Sequence, residues 1–139
     1  PDARKVGRPP WLNGTEVVYR FHNGLIGTSN ISDHHLDFIT FLKDTVTEED
    51  FVLVKMDIEN SEWCVIPEMI RSGTIHLVDE LSVEMHFWSD DPAWYHFLKA
   101  AGVDKLFQNP SCPGKHDLAE AFSLLQRLRK LGIYTHTWP

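Results

Sequence analysis

The order of apolar and polar positions predicts alternating strands and helices. Residues 51–56 form an apolar run without alternation, which is typical of a strand covered on both faces and is the expected centre of the sheet. Residues 15–21 and 133–138 also have strand composition. Residues 77–87 alternate, so one face of that strand should carry polar side chains, namely Glu80, Ser82, Glu84 and His86.

Helical spacing and capping residues predict four helices between these strands. The second is preceded by Asn60, which can adopt a left-handed turn, and by Ser61, which can cap it. Pro67 removes a backbone hydrogen bond from this helix, which either kinks there or begins its regular part there. The expected bounds are Ser32 or Asp33 to about Lys43, about Glu62 to Arg71, Pro92 to near Gly102, and Asp117, with a capping box to Glu120, to Gly132.

Alternating strands and helices imply right-handed crossovers and an α/β fold with a mostly parallel sheet and helices on both faces. A chain of 139 residues with 42% hydrophobic content can bury one core. We therefore expect residues 1–139 to form a single domain. Residues 1–14 contain several prolines and arginines and are expected to be a linker.

Charge and composition narrow the partners. The formal net charge of -7 argues against a nucleic-acid surface, and the absence of a long apolar run argues against direct membrane contact. The glycosylation acceptors Asn13-Gly14-Thr15 and Asn30-Ile31-Ser32 favour a secretory compartment such as the Golgi lumen over the cytoplasm. Cys64 and Cys112 form neither a disulfide framework nor a metal pair, so we expect them to be core or loop thiols.

Candidate chemistry lies where two predicted strands end, because ligands of open α/β sheets bind outside the carboxyl ends of the strands. Asp57 and Glu59 leave one strand, and Glu84 and His86 lie on one face of the next, about 7 Å apart by strand rise. These groups can surround one divalent ion, or His86 can act as a general base. The structural alternatives are an ion pair between Glu84 and His86 and helix capping by Asp57 and Glu59.

Three sequence motifs resemble FkbM-type S-adenosylmethionine-dependent methyltransferases. Lys55, Asp57, Glu59 and Glu62 fall in the register of the family's Lys-x-Asp-x-Glu-Gly-x-Glu motif, with Asn60 in place of glycine. Residues 79–86 resemble the fifth strand of one branch of the family, and Leu128 to Pro139 resemble the end of that branch. The resemblance spans most of the chain from Asp37 to Pro139.

The resemblance implies a class I, Rossmann-like methyltransferase fold, a three-layer sandwich. The family's glycine-rich first turn has no counterpart here, so the chain is expected to be the C-terminal half of that fold, with the cofactor half upstream. S-adenosylmethionine and, by analogy with metal-dependent O-methyltransferases, a divalent ion are the implied cofactors. The implied roles are Asp57, Glu84 and His86 as catalytic residues and metal ligands, and Asp57 and Glu59 as cofactor contacts.

The implied reaction is O-methylation of a sugar or another small-molecule hydroxyl, so the expected partner is a small-molecule or glycan acceptor. A homo-oligomer or larger assembly is a further expectation. Two other functions fit the same residues. One is a non-catalytic methyltransferase-like binding or assembly domain, which the missing glycine turn favours, and the other is a metal-dependent hydrolase built on the Asp-x-Glu and Glu-x-His pairs.

Overall fold

A computed structural model describes residues 25–28, 35–88, 91–102, 112 and 114–137 of the chain. The strands are β1 (Leu25–Gly27), β2 (His35–Asp37), β3 (Leu53–Met56), β4 (Glu80–Val83) and β5 (Tyr134–Thr137). The helices are α1 (Phe38–Thr45), α2 (Glu62–Ser72), α3 (Pro92–Ala101) and α4 (Leu118–Lys130), and a 3-10 helix spans Thr74–Leu77. The predicted strand at 15–21, the linker at 1–14 and both glycosylation acceptors lie outside the described residues.

All strand pairs in the described residues are parallel. β1 pairs with β2, and a separate sheet has the order β3-β4-β5. The predicted central position of β3 is therefore wrong for this sheet, since β4 lies between its two neighbours. Leu53 on β3 is 57% exposed, in contrast to Leu81 on β4, which is fully buried. The apolar run at 51–56 indicated burial on both faces, which is wrong: Val52 and Met56 are buried on one face, whereas Phe51 and Leu53 on the other face are 75% and 57% exposed.

The core lies on the sheet face that carries Met56, Leu81 and Val83. Helices α1, α2 and α4 pack against these side chains. The opposite face carries Leu53 and Tyr134, which are 57% and 65% exposed. The buried core residues are Ile39, Leu42, Val52, Met56, Val65, Ile66, Met69, Ile75, Val78, Leu81, Val83, Leu125, Leu128 and Ile133. The fold is mixed α/β with parallel sheets, compatible with a Rossmann-like fold.

The first predicted helix begins later than expected. Residues 35–37 form β2, and Asp37 is the N-cap of α1, because its carboxylate accepts hydrogen bonds from the backbone N–H groups of Ile39 and Thr40. The proposed cap at Ser32 or Asp33 is therefore wrong. Asp37 offers the same capping chemistry one turn closer to the apolar positions Ile39 and Leu42, which are the buried ones.

The other three predicted helices are confirmed. α2 runs without interruption through Pro67, so its regular part does not begin there, and it ends at Gly73 with a φ of 76°. α4 has the predicted capping box between Asp117 and Glu120. The strand predicted at 77–87 is shorter than expected, since β4 covers only Glu80–Val83 and Leu77 belongs to the 3-10 helix.

Candidate active site

The ends of β3 and β4 bring the predicted site residues to one edge of the sheet. Met56 pairs with Val83 in the parallel register, and the backbone N–H of Glu84 donates to the Met56 carbonyl at 2.9 Å. Asp57 and Glu84, each the first residue after its strand, therefore lie side by side. This is the carboxyl edge, where an open α/β sheet offers its ligand site.

The turn after β3 places Glu59 at the same carboxyl edge of the sheet. Glu59 and Asn60 both have left-handed backbone conformations, with φ of 52° and 74°. The prediction for Asn60 is confirmed, whereas the conformation of Glu59 was not foreseen. Ser61 occupies the N-cap position of α2 but makes no side-chain capping hydrogen bond, so its predicted capping role is wrong.

His86 is held on both sides by the first turn of α2. The Glu62 carboxylate oxygen Oε1 lies 2.9 Å from His86 Nδ1 and accepts a hydrogen bond from the His86 backbone N–H at 2.8 Å. The indole Nε1 of Trp63 donates to the His86 carbonyl. Because a carboxylate on Nδ1 fixes the orientation of the ring, these contacts leave Nε2 as the atom presented to the site.

Carboxylates surround Nε2 of His86. Glu59 Oε2 lies at 3.3 Å, and Asp57 Oδ1 and Glu84 Oε1 each lie at 4.0 Å. The structure thus brings all four predicted residues together. Glu84 and His86, however, come after the end of β4, so a shared strand face is not the reason for their proximity.

The electrostatics favour a positive charge at His86. Burial alone would lower the pKa of the imidazole, but the hydrogen bond that the ring donates to Glu62 and the negative charges of Glu62, Glu59 and Glu84 outweigh this effect. The pKa of His86 is therefore raised above its ordinary value. Within the described residues, every salt bridge of Asp57, Glu59 and Glu84 goes to this one imidazole. The edge is an acidic site organised around a single ring nitrogen.

Cys64 and Cys112 were predicted to be core or loop thiols. This prediction is wrong, because the two residues form a disulfide with Cα atoms 5.7 Å apart. A separation of 48 residues gave no motif by which sequence reasoning could pair them. The disulfide ties the first turn of α2 to the segment before α4. There, His116 stacks on Trp63 with ring centroids 4.1 Å apart.

A groove of about 580 Å³ is lined by residues that follow His86 and by the start of α4. Phe87 and Trp88, which follow His86 in the chain, form one side, and residues 115–120 form the other. Lys115 Nζ lies 3.7 Å from the centre of the Trp88 ring. Among the tryptophans of the described residues, Trp63, Trp88 and Trp94, only Trp88 lines this groove, and Trp63 is 8% exposed.

Sequence reasoning missed the importance of Glu62 and Trp63. Glu62 matched a family motif, but nothing in its spacing showed that a fully buried carboxylate would hold His86. The only available signal was its place in the first turn of a helix that follows the polar strand end. That position is more often explained by the helix dipole than by a long-range contact.

Together, the parallel strands and the acidic edge define an α/β protein with a cluster of carboxylates around His86 at the carboxyl ends of two strands. The chain matches the Methyltransferase FkbM domain over residues 7–106 and belongs to this family of methyltransferases. The family inferred from the motifs is thereby confirmed, although the match begins upstream of Asp37 and does not include the motif at Leu128 to Pro139. No curated protein and no solved structure matches the chain. None of the helices in the described parts of the chain is long and apolar enough to cross a membrane.

Proposed function

We propose that this chain carries the acceptor-side residues of an S-adenosylmethionine-dependent O-methyltransferase. The observation that supports this most is the position of His86 Nε2 among Asp57, Glu59 and Glu84 in a chain of the FkbM family. The proposed acceptor is a hydroxyl of a sugar, a glycan or another small molecule, bound at this edge. The groove beside Phe87 and Trp88 offers space for the rest of the acceptor.

The residues at this edge fit the charge of the proposed cofactor. The side chains of Asp57 and Glu59 are 45% and 55% exposed, so the negative charge of this edge is open to the positively charged S-adenosylmethionine. When bound, the cofactor supplies a methyl group activated by the positive sulfur. The glycines at 14, 24 and 27 form no Gly-x-Gly-x-x-Gly series, and we assign no residue to the adenosine end.

The chain's own residues bind the acceptor and remove its proton in this proposal. Asp57, Glu84 and His86 orient the hydroxyl beside the methyl donor, and a carboxylate of the cluster accepts the hydroxyl proton when the methyl group leaves sulfur for oxygen. Glu62 keeps His86 in place by holding Nδ1 and the backbone N–H. Correct positioning and proton removal are the two contributions that a methyl transfer requires from the protein.

The test has a binding arm and a turnover arm. Calorimetry on the intact protein should detect S-adenosylmethionine binding, and failure to bind would favour the non-catalytic alternative. Transfer of a labelled methyl group to a panel of sugars and hydroxylated small molecules should fall about 100-fold or more in Asp57→Ala and His86→Ala. His136→Ala is the matched control, because His136 also pairs with a glutamate, Glu80 at 3.0 Å, but away from the site. Unchanged transfer in both site variants would show that the site is wrongly assigned.

We also propose that the protein works in an oxidising compartment such as the secretory lumen. The disulfide between Cys64 and Cys112 supports this, since such bonds persist where thiols are not kept reduced. The acceptors at Asn13 and Asn30 agree with it. The protein isolated from its own cells should lose mass on treatment with an N-glycosidase, and two free thiols without attached glycan would contradict this location.

A further inference from the structure

The ring nitrogen and the exposed carboxylates at the sheet edge are arranged as metal ligands. One atom each from Asp57, Glu59 and His86 lies within 4.8 Å of the others. Ligands bound at about 2.1 Å to one ion lie about 3 to 4 Å apart, so small movements of the side chains complete the geometry. Asp57 and Glu59 can make those movements because their side chains are half exposed.

A second, independent feature points to the same use of His86. Glu62 is fully buried, and its Oε1 lies 2.9 Å from His86 Nδ1, so Nε2 is the ring nitrogen that faces Asp57 and Glu59 and that an ion would bind in place of a proton. A carboxylate behind a histidine is the common outer partner of a metal-binding imidazole, where it fixes the tautomer and raises ligand basicity. Its other oxygen, Oε2, is buried and has no hydrogen-bond partner among the described residues.

The charge of the cluster explains why a cation is favoured there. Asp57, Glu59, Glu84 and Glu62 place four carboxylates around one imidazole, and only His86 pairs with the first three within the described residues. Carboxylates brought together without a compensating cation repel one another. A divalent ion removes that repulsion. If His86 served only to stabilise the fold, its pair with Glu62 would be enough, without the other three carboxylates.

We propose that Asp57, Glu59 and His86 bind one divalent transition-metal ion, with Glu62 as the positioning residue for His86. This ligand set replaces Glu84 of the sequence-based set by Glu59. The nitrogen ligand favours a transition-metal ion over Mg²⁺, which prefers oxygen ligands in near-ideal octahedral geometry. Three protein ligands leave open positions on the ion, where an oxygen of the proposed acceptor can bind.

The test is calorimetric titration of the intact protein with Mn²⁺ and with Mg²⁺, in the absence of methyl donor and acceptor. The wild-type protein should bind one Mn²⁺ at least about 10-fold more tightly than Mg²⁺. His86→Gln should abolish that preference, and Glu59→Gln, at an exposed side chain, should weaken Mn²⁺ binding about 10-fold without loss of the fold. Glu62→Gln should weaken it by about 10- to 100-fold, as loss of an outer partner does.

His136→Gln is the control, since it removes an imidazole paired with a glutamate outside the site and should leave Mn²⁺ binding unchanged. Absence of Mn²⁺ binding, or a Mn²⁺ preference that survives in His86→Gln, would overturn the proposal. Because ion binding is measured without methyl transfer, a failure of the proposed methyltransferase activity leaves this result unaffected. The reverse also holds, since methyl transfer that continues in a chelator would overturn only a catalytic use of the ion.

Discussion

Asn60 shows how one residue shapes the turn that carries the acidic edge. It is 1% exposed and has a φ of 74°, a backbone conformation that few residues other than glycine and asparagine adopt. Its side-chain Nδ2 lies 3.5 Å from the Cys112 carbonyl. The residue therefore combines a backbone role, for which the family uses glycine, with a contact to the disulfide-linked segment.

We expect substitutions at this position to follow backbone conformation more than side-chain size. Asn60→Ala should lower the free energy of unfolding by about 1 to 2 kcal/mol, because alanine is strained in the left-handed region. Asn60→Gly should cost less, since glycine adopts that conformation freely. Urea unfolding measures both, with exposed Gln126→Ala in α4 as the control. Equal stability of the alanine and glycine variants would show that the conformation at residue 60 is not strained.

At the level of single residues, the sequence predicted which groups gather but not how they are held. Asp57, Glu59, Glu84 and His86 were expected at adjoining strand ends, and the parallel register brings them together there. The contact of Glu62 with His86 depends on the approach of α2 to residues beyond β4, 24 positions away in the chain. Such a contact depends on packing angles that periodicity does not report.

Among the elements, α4 has the strongest local signals and the closest agreement with prediction. Asp117 accepts from the Glu120 backbone N–H at 2.8 Å, and the Glu120 carboxylate accepts from the Asp117 backbone N–H at 2.9 Å. Asp117→Ala should therefore reduce the free energy of unfolding by about 1 kcal/mol. Gln126→Ala, at an exposed position inside the same helix, should change it by less than about 0.5 kcal/mol. A cap variant as stable as wild type in urea would contradict the role of the capping box.

Elements with weaker local signals were predicted less well. Both Asp33 and Asp37 could cap α1, and only the burial of Ile39 and Leu42 against the core decides in favour of Asp37. Apolar and polar residues do alternate in the sequence at 77–87, but the pairing of β4 with β3 ends after Val83. Strand length is set by the neighbouring strands, which the sequence of one segment does not contain.

For the whole molecule, one apolar face of the three-stranded sheet supports the core. Leu81 and Leu53 make a matched pair, since they lie on neighbouring strands but point to opposite faces, with 0% and 57% exposure. Leu81→Ala should lower the free energy of unfolding by about 2 to 5 kcal/mol, as core truncations do. Leu53→Ala should cost less than about 1 kcal/mol. Similar losses in denaturant unfolding would place the core on both faces.

The overall architecture was predicted as a class, and its details were not. The alternation of strands and helices led to a parallel mixed α/β fold, which the strand pairs confirm. The expected helices on both faces are not seen in the described residues, where α1, α2 and α4 pack on one face of the β3-β4-β5 sheet. The order β3-β4-β5 could not be derived, because the apolar character of residues 51–56 indicates burial without naming the elements that cause it. The disulfide was missed for a related reason, since two distant cysteines carry no pairing information.

The Cys64–Cys112 bond also limits when, during biosynthesis, this part of the chain can reach its final covalent structure. Cys112 leaves the ribosome 48 residues after Cys64, so the disulfide that holds the segment of His116 near Trp63 can form only after that point in synthesis. Expression in a reducing cytoplasm would produce chains without this disulfide. Recombinant preparations should therefore be compared by thiol content before their activities are compared, because two batches of identical sequence can differ in the groove wall that contains His116.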